Sequence, residues 1–137
     1  MMLGWAESLA ADRDLASLMA RETGKPIRYA REELEGTVTQ LRALARRAVE
    51  LKDPPRRGHV RVRHAPVGVV GVITPWNNAA YIPAGKIGAA LVHGNVVVWK
   101  PSPAGAMVAV RLFGHLQRAG APAGAVNLVH GGISTAR

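Results

Sequence analysis

Pro66-Val67-Gly68-Val69-Val70-Gly71-Val72-Ile73-Thr74-Pro75-Trp76-Asn77 is the stretch whose reading decides the fold. From Val67 to Ile73 it is continuously apolar and rich in β-branched residues, with a proline at either side. That texture predicts a strand. The lack of polar alternation predicts one buried on both faces, as in a parallel sheet. The same texture recurs downstream. A helix is expected between about Tyr81 and Val92, closing at His93-Gly94-Asn95. Val96-Val97-Val98-Trp99 follows as a second buried strand. Pro101-Ser102-Pro103 opens another helix, through about Ala119, which Gly120, Pro122 and Gly124 end. Val126-Asn127-Leu128-Val129 is a third short strand, ending at Gly131-Gly132. Crossovers of this length join parallel strands, so this half reads βαβαβ and the class is α/β.

Upstream the periodicity is helical. Trp5, Leu9, Leu15, Leu18 and Met19 predict one helix over residues 3–23. Thr23-Gly24-Lys25-Pro26 stops it, because glycine accepts the left-handed cap and proline cannot continue the helix. Leu34, Val38, Leu41, Ala45 and Ala48 form an apolar stripe on a second helix, about Ile27 to Leu51, with most charges off the stripe. Asp53-Pro54-Pro55 ends that helix, and Arg56 to Gly58 read as an exposed turn. His59-Val60-Arg61-Val62-Arg63 alternates polar and apolar and predicts a strand with one wet face, suited to an edge or an interface. The expected organisation is a helical part over 1–52, a linker and edge strand over 53–65, and a βαβαβ core over 66–137.

Composition bounds the chemistry. The 137 residues include no cysteine, which excludes disulfides, thiolate metal sites and a cysteine nucleophile within them. No serine or histidine is placed by the sequence to substitute, and no metal site is expected. With one Phe, two Tyr and three Trp, the core is expected to be built from Val, Ile, Leu and Ala. The net charge is +9. The basic residues are dispersed and no aromatics interleave with them, so arginine on solvated helix faces accounts for the charge better than a nucleic-acid surface. The first residues have no basic start followed by an apolar run, and the stretch Ala65 to Trp76 is too short to span a bilayer. A soluble cytoplasmic chain that binds neither membrane nor nucleic acid is the expectation.

Ligands of open parallel sheets sit outside the carboxyl ends of the strands. Three segments occupy that place: Thr74-Pro75-Trp76-Asn77-Asn78, Lys100-Pro101-Ser102-Pro103 and His130-Gly131-Gly132. They point to a nucleotide or another anionic small molecule. G-x-G-x-x-G is missing after the first strand, so a dinucleotide would bind differently from the usual manner.

Four motifs, in order and at matching spacing, resemble the aldehyde dehydrogenase superfamily. They are Glu22-Thr23-Gly24-Lys25-Pro26, the Pro66–Asn77 run, Gly94-Asn95-Val96-Val97-Val98-Trp99-Lys100-Pro101-Ser102, and Ala119-Gly120-Ala121-Pro122-Ala123-Gly124-Ala125-Val126-Asn127. Lys86 matches as well. The resemblance covers nearly the whole chain and implies a partial Rossmann-like parallel sheet, βαβαβ, preceded by two helices and a short edge or interface strand.

The resemblance also implies roles. Asn77 matches the catalytic asparagine, whose NH₂ donates to the oxygen that becomes negative when a thiolate attacks an aldehyde. Lys86 matches a lysine near the catalytic site. Lys100 matches a lysine that binds the adenosine ribose of NAD or NADP, with Ser102 beside it. Thr74, Pro75 and Trp76 match the loop lining the cofactor. Taken alone, each has a plainer explanation: an asparagine capping a turn, and lysines solvated at a helix surface or a strand end. Two departures stand out. Pro103 replaces a glutamate that often binds the ribose hydroxyls, which implies tolerance of NADP. Gly85 replaces a bulky residue ahead of Lys86 and puts the usual substrate tunnel in question.

The family's reaction also needs a cysteine and a general-base glutamate, which lie in family segments beyond Arg137. A fragment of an NAD(P)-dependent aldehyde dehydrogenase, inactive alone, is therefore the leading expectation. The alternative is an interaction module, pairing with a separately encoded C-terminal half or an intact relative. A basic nucleic-acid binder ranks below both. The expected partners are an aldehyde substrate and another polypeptide, either a second copy in a homo-oligomer or a C-terminal half.

Overall fold

The computed structural model describes residues 1–50, 58–60 and 64–137, with the side chain of Glu50 excepted. Helices α1 (Met2–Ala10), α2 (Leu15–Thr23) and α3 (Ile27–Glu50) come first. Then strand β1 (Val69–Thr74), helix α4 (Tyr81–Val92), strand β2 (Val96–Pro101), helix α5 (Ala106–Arg118) and strand β3 (Val126–Leu128) alternate. The strands form a parallel sheet of order β1-β2-β3, with Val69 opposite Val96 and Val97 opposite Val126. The α/β reading and the βαβαβ order hold. Asp53-Pro54-Pro55, Arg56 and Arg61–Arg63 lie outside the described residues, and with them most of the expected turn and of the expected strand over 59–63.

One helix over 3–23 is expected, and two are found. The break falls at Ala11–Asp14. The Asp12 carboxylate accepts from the Asp14 backbone N–H at 3.1 Å, a local turn that competes with the helix ladder. Apolar spacing continues across the break, because Trp5, Leu9, Leu15 and Met19 are all buried. Periodicity reports the shared core face and not the interruption. Gly24 then closes α2 in the left-handed conformation (φ 73°), as the stop signal predicts.

The stripe on α3 is buried as expected at Val38 and Leu41, and it widens to take in Ala30, Glu33 and Thr37. The Thr37 hydroxyl donates to the Glu33 carbonyl at 2.7 Å, so it is satisfied within its own helix. Helix α4 crosses α3 through glycines. A Cβ on Gly85 would lie 2.6 Å from Gln40 Nε2, and one on Gly88 would lie 2.8 Å from Leu44 Cδ1. The room that a bulky residue at 85 would take is thus filled by Gln40.

The core is not purely aliphatic. Trp5 and Trp99 are the largest fully buried side chains, and each indole N–H has a partner. Trp5 donates to the Leu112 carbonyl at 3.2 Å, and Trp99 to the Thr74 hydroxyl at 3.0 Å. Around them pack Leu9, Leu15, Leu41, Ile87, Val97, Val108, Leu112 and Leu116 in one cluster that joins the sheet to the helices. Each such side chain contributes about 1.5–3 kcal/mol when removed from water.

Burial on both sheet faces is not found. Val72, Thr74, Val97, Trp99 and Val126 face the helices and are buried. Val69 (68% exposed), Ile73 (61%), Val96 and Val98 face away and are open. The strand order advances in one direction, and connections of one hand then put α4 and α5 on the same side. Helices α1 and α2 pack on α3 and on α5, and α3 packs on α4, adding a layer behind that same side.

Candidate functional site at the carboxyl ends of the strands

The register sets Ile73 beside Lys100 and Thr74 beside Pro101, so the first two predicted segments emerge as neighbours. Thr74 itself faces inward. Its hydroxyl accepts the Trp99 indole, and the side chain is buried. Beyond it the chain turns outward. Pro75, Trp76 and Asn77 are exposed, Trp76 by half. The Asn77 amide makes no hydrogen bond among the described residues.

A turn-capping asparagine is the plain alternative for Asn77, but the cap is made by another residue. Glu33, buried on α3, places Oε1 2.8 Å from the Ala80 backbone nitrogen and 3.1 Å from that of Tyr81. Its carboxylate thereby takes the first free N–H groups of α4. Its other oxygen pairs with Lys25, and Lys25 Nζ also donates to Asn78 Oδ1 at 2.9 Å. Glu33 and Lys25 thus fix the loop just after Asn77, at Asn78, Ala80 and Tyr81, and Trp99 fixes it before, at Thr74, while Asn77 keeps its donors unspent.

The next loop is held in the same way. Glu22 Oε1 and Oε2 accept from the backbone nitrogens of Met107 and Val108, at 2.7 and 2.8 Å, at the start of α5. Glu22 and Lys25 belong to the helix-ending motif that the sequence marks, yet their partners lie far along the chain. No periodicity or spacing announces Glu33.

Between the helix-ending motif and the Trp76–Asn78 loop lies an open cleft of about 740 Å³. Lys25, Tyr29, Glu33, Trp76, Asn77 and Tyr81 are among its lining residues. Lys86 is not. It is exposed beside Val70–Ile73 of β1, in a separate hollow of about 370 Å³. Lys100 is half-buried, and its Nζ reaches the Pro101 carbonyl at 3.3 Å. The Ser102 hydroxyl accepts from the Ala104 backbone N–H at 3.3 Å, capping a short turn that begins at Pro103. His130 is exposed at the end of β3. The backbone at Gly131 passes so close to Thr135 that a Cβ there would collide with the threonine side chain.

One polar cluster was not anticipated from the sequence. Arg111 binds Asp12 with two nitrogens, at 2.6 and 2.8 Å. His115 Nε2 meets the same carboxylate at 2.7 Å, and His115 Nδ1 meets the Ser8 hydroxyl at 2.5 Å. The Arg111 hydrogen bond, with those of His115 and the Asp14 N–H, holds the Asp12 carboxyl well below the usual carboxylate range against the cost of burial. Serine, histidine and aspartate stand in contact, but the carboxylate is saturated by arginine and the histidine is buried. Asp12 borders a second hollow of about 490 Å³ beside α3, but Ser8 and His115 are not among the residues lining it. The cluster ties the α1–α2 break to α5.

Among the described residues no group of three or more His, Cys, Asp or Glu could hold a metal ion. No helix there is long and apolar enough to cross a membrane.

Comparison with known proteins agrees with the motifs and the fold. The model of the aldehyde dehydrogenase family matches residues 1–137. An N-succinylglutamate 5-semialdehyde dehydrogenase of Novosphingobium aromaticivorans is 39% identical over 134 residues, covering 93% of this chain and 28% of that protein. The solved structure of Gox0499, studied for its cofactor and substrate selection, superposes with a TM-score of 0.89 at 31% identity, covering 98% of this chain and 31% of the other. An NADP-dependent glyceraldehyde-3-phosphate dehydrogenase of Bacillus halodurans, solved with NADP, gives 0.86 at 31% identity, over 97% and 30%. The chain therefore spans less than a third of the length of these relatives. With a family match from end to end, the same parallel sheet and the four motifs on it, the chain belongs to the aldehyde dehydrogenase family.

Proposed function

We propose that this chain supplies part of an aldehyde-oxidising site, namely the oxyanion donor and the nucleoside end of an NAD(P) site. The observation that carries the reading is Asn77. It stands exposed in a cleft at the end of β1, unpaired among the described residues, on a loop that Glu33 and Lys25 hold in place. A neutral amide fixed in that way donates to an aldehyde oxygen as negative charge develops. NAD or NADP, when bound, supplies the hydride acceptor.

The residues at the end of β2 fit the nucleoside end of such a cofactor. The Lys100 ammonium has one carbonyl partner at 3.3 Å and retains donors for a ribose hydroxyl or a phosphate. The Ser102 hydroxyl accepts one N–H and still has its proton to give. Pro103 presents no carboxylate, so nothing there repels a 2′-phosphate, and NADP is accommodated. Pro75 and Trp76 offer an apolar wall. Thr74 acts from behind, through Trp99. Lys86, lying apart from the cleft, acts on the other side of β1 in the reading that makes it catalytic.

The chain contains no cysteine, so it provides positioning and not the covalent step. Alone it is catalytically silent, and the aldehyde and the thiolate meet in a longer or assembled protein in the cytoplasm. The bare sheet face (Val69, Ile73, Val96, Val98) favours a compatible second reading, in which this face packs on further polypeptide, whether of the same protein, a second copy or a separate C-terminal half.

Titration of the 137-residue chain with NADP⁺ and NAD⁺ tests the first reading, with Trp76 fluorescence as the signal. NADP⁺ is expected to bind at least as well as NAD⁺. Lys100→Ala is expected to weaken both by about tenfold, the loss of a charge-assisted hydrogen bond. Strong preference for NAD⁺ would remove the role given to Pro103, and indifference to Lys100→Ala would remove the ribose site.

A further inference from the structure

Helix N-termini at the carboxyl ends of parallel strands are where nucleotide phosphate ordinarily settles, since their free N–H groups and the helix dipole favour an anion. In this chain both such ends already hold one. Glu33 Oε1 takes the Ala80 and Tyr81 N–H groups at the start of α4, and the two oxygens of Glu22 take those of Met107 and Val108 at the start of α5. Both carboxylates arrive from the helical layer, 47 and 85 residues away in sequence. Each is fixed further. Glu33 is buried and paired with Lys25, while Glu22 sits in the last turn of α2, whose end is set by Gly24.

We propose that Glu22 and Glu33 are built-in anions that close α4 and α5 to phosphate and so decide which end of a dinucleotide this chain receives. The nucleoside end is accepted at Lys100, and the pyrophosphate finds no helix N-terminus free on this half of the sheet. The same bonds make both glutamates positioning residues, because they hold the loops that carry Asn77 and Ser102. The inference rests on the cofactor reading for Lys100, but the closure itself does not.

The test uses the 137-residue chain and three probes: adenosine 2′,5′-bisphosphate, NADP⁺ and inorganic pyrophosphate. For the unaltered chain, the bisphosphate and NADP⁺ are expected to bind within about threefold of each other, and pyrophosphate not to compete. Glu22→Ala frees two N–H groups on α5. It is expected to gain pyrophosphate affinity by about tenfold and to favour NADP⁺ over the bisphosphate by a similar factor. Glu22→Gln removes the charge and leaves one acceptor oxygen for the two N–H groups, so it is expected to gain pyrophosphate affinity by less than Glu22→Ala, which separates closure by the carboxylate from a general loosening. Circular dichroism reports whether each variant is folded. Should Glu22→Ala fail to fold, competition by pyrophosphate on the unaltered chain still decides the matter. NADP⁺ binding tenfold tighter than the bisphosphate on that chain, or displacement by pyrophosphate, overturns the proposal. If neither nucleotide binds but Glu22→Ala gains pyrophosphate, the cofactor reading fails while the closure by Glu22 stands.

Discussion

The two faces of the sheet are built from the same residues and meet opposite conditions. Val72, Val97 and Trp99 point at the helices and are all but sealed from water. Val69, Ile73, Val96 and Val98 stand one residue away in the chain, on the other side, and are open. Strand composition is therefore not a statement about burial. It records that both faces suit an apolar neighbour, and topology decides which one has it. A covered face and a bare face of the same three strands provide an internal control for what packing contributes.

The largest effect should come from the covered face. Trp99→Ala removes a buried indole together with its hydrogen bond to Thr74, and is expected to cost about 3–5 kcal/mol in urea unfolding. A loss below about 1 kcal/mol would mean the covered face is not the stabilising one. The sharper test pairs adjacent residues. Val72→Ala is expected to cost about 2 kcal/mol and Ile73→Ala no more than about 0.5 kcal/mol, because only the first side chain leaves a packed environment. Equal costs would show that the bare face is covered in solution, by a second copy or another segment. In that case Ile73→Lys should shift the chain to smaller species on gel filtration.

A third effect concerns the layer that does the covering. Asp12 joins the α1–α2 break to α5 through Arg111 and His115. Its carboxyl is held below its ordinary value of 3.8. The folded state therefore binds that proton less readily than the unfolded chain. The contribution is fully present above the unfolded value and is lost as pH falls through it toward the folded one. Asp12→Asn is expected to cost about 1–2 kcal/mol at neutral pH and to flatten the loss of stability between about pH 4 and pH 2. An unchanged acid transition would assign it to other carboxylates.

Much of this architecture is legible in the sequence because it repeats. The strands at Val69 and Val96, the helix at Tyr81–Val92 and the stop at Gly24 follow from local texture and single-residue conformational rules. The break at Asp12 is not legible that way. The apolar spacing runs straight through it, and its cause is one side chain that folds back on Asp14 and reaches Arg111 across the chain. The two exposed strand ends, with Trp76, Asn77, Lys100 and Ser102, were marked by a topological rule about where ligands sit. The groups that hold them, Glu33 on α3 and Glu22 on α2, each act through a pair of bonds to distant backbone. Such bonds leave no period, and the motif that contains Glu22 does not reveal its partners on α5. Gly85 lies between these cases. Its smallness is visible in the sequence, but that Gln40 fills the space is a property of the α3–α4 crossing.

The central claim is that the carboxyl ends of β1 and β2 form one ligand site. Amide chemical-shift mapping of the chain during titration with NADP⁺ tests it most directly. The largest changes are predicted at Trp76–Asn78 and at Lys100–Ala104, with the Ser8–Asp12–His115 cluster unmoved. Changes confined to that cluster or to the bare face of the sheet, or no changes at all at saturating nucleotide, would contradict the account.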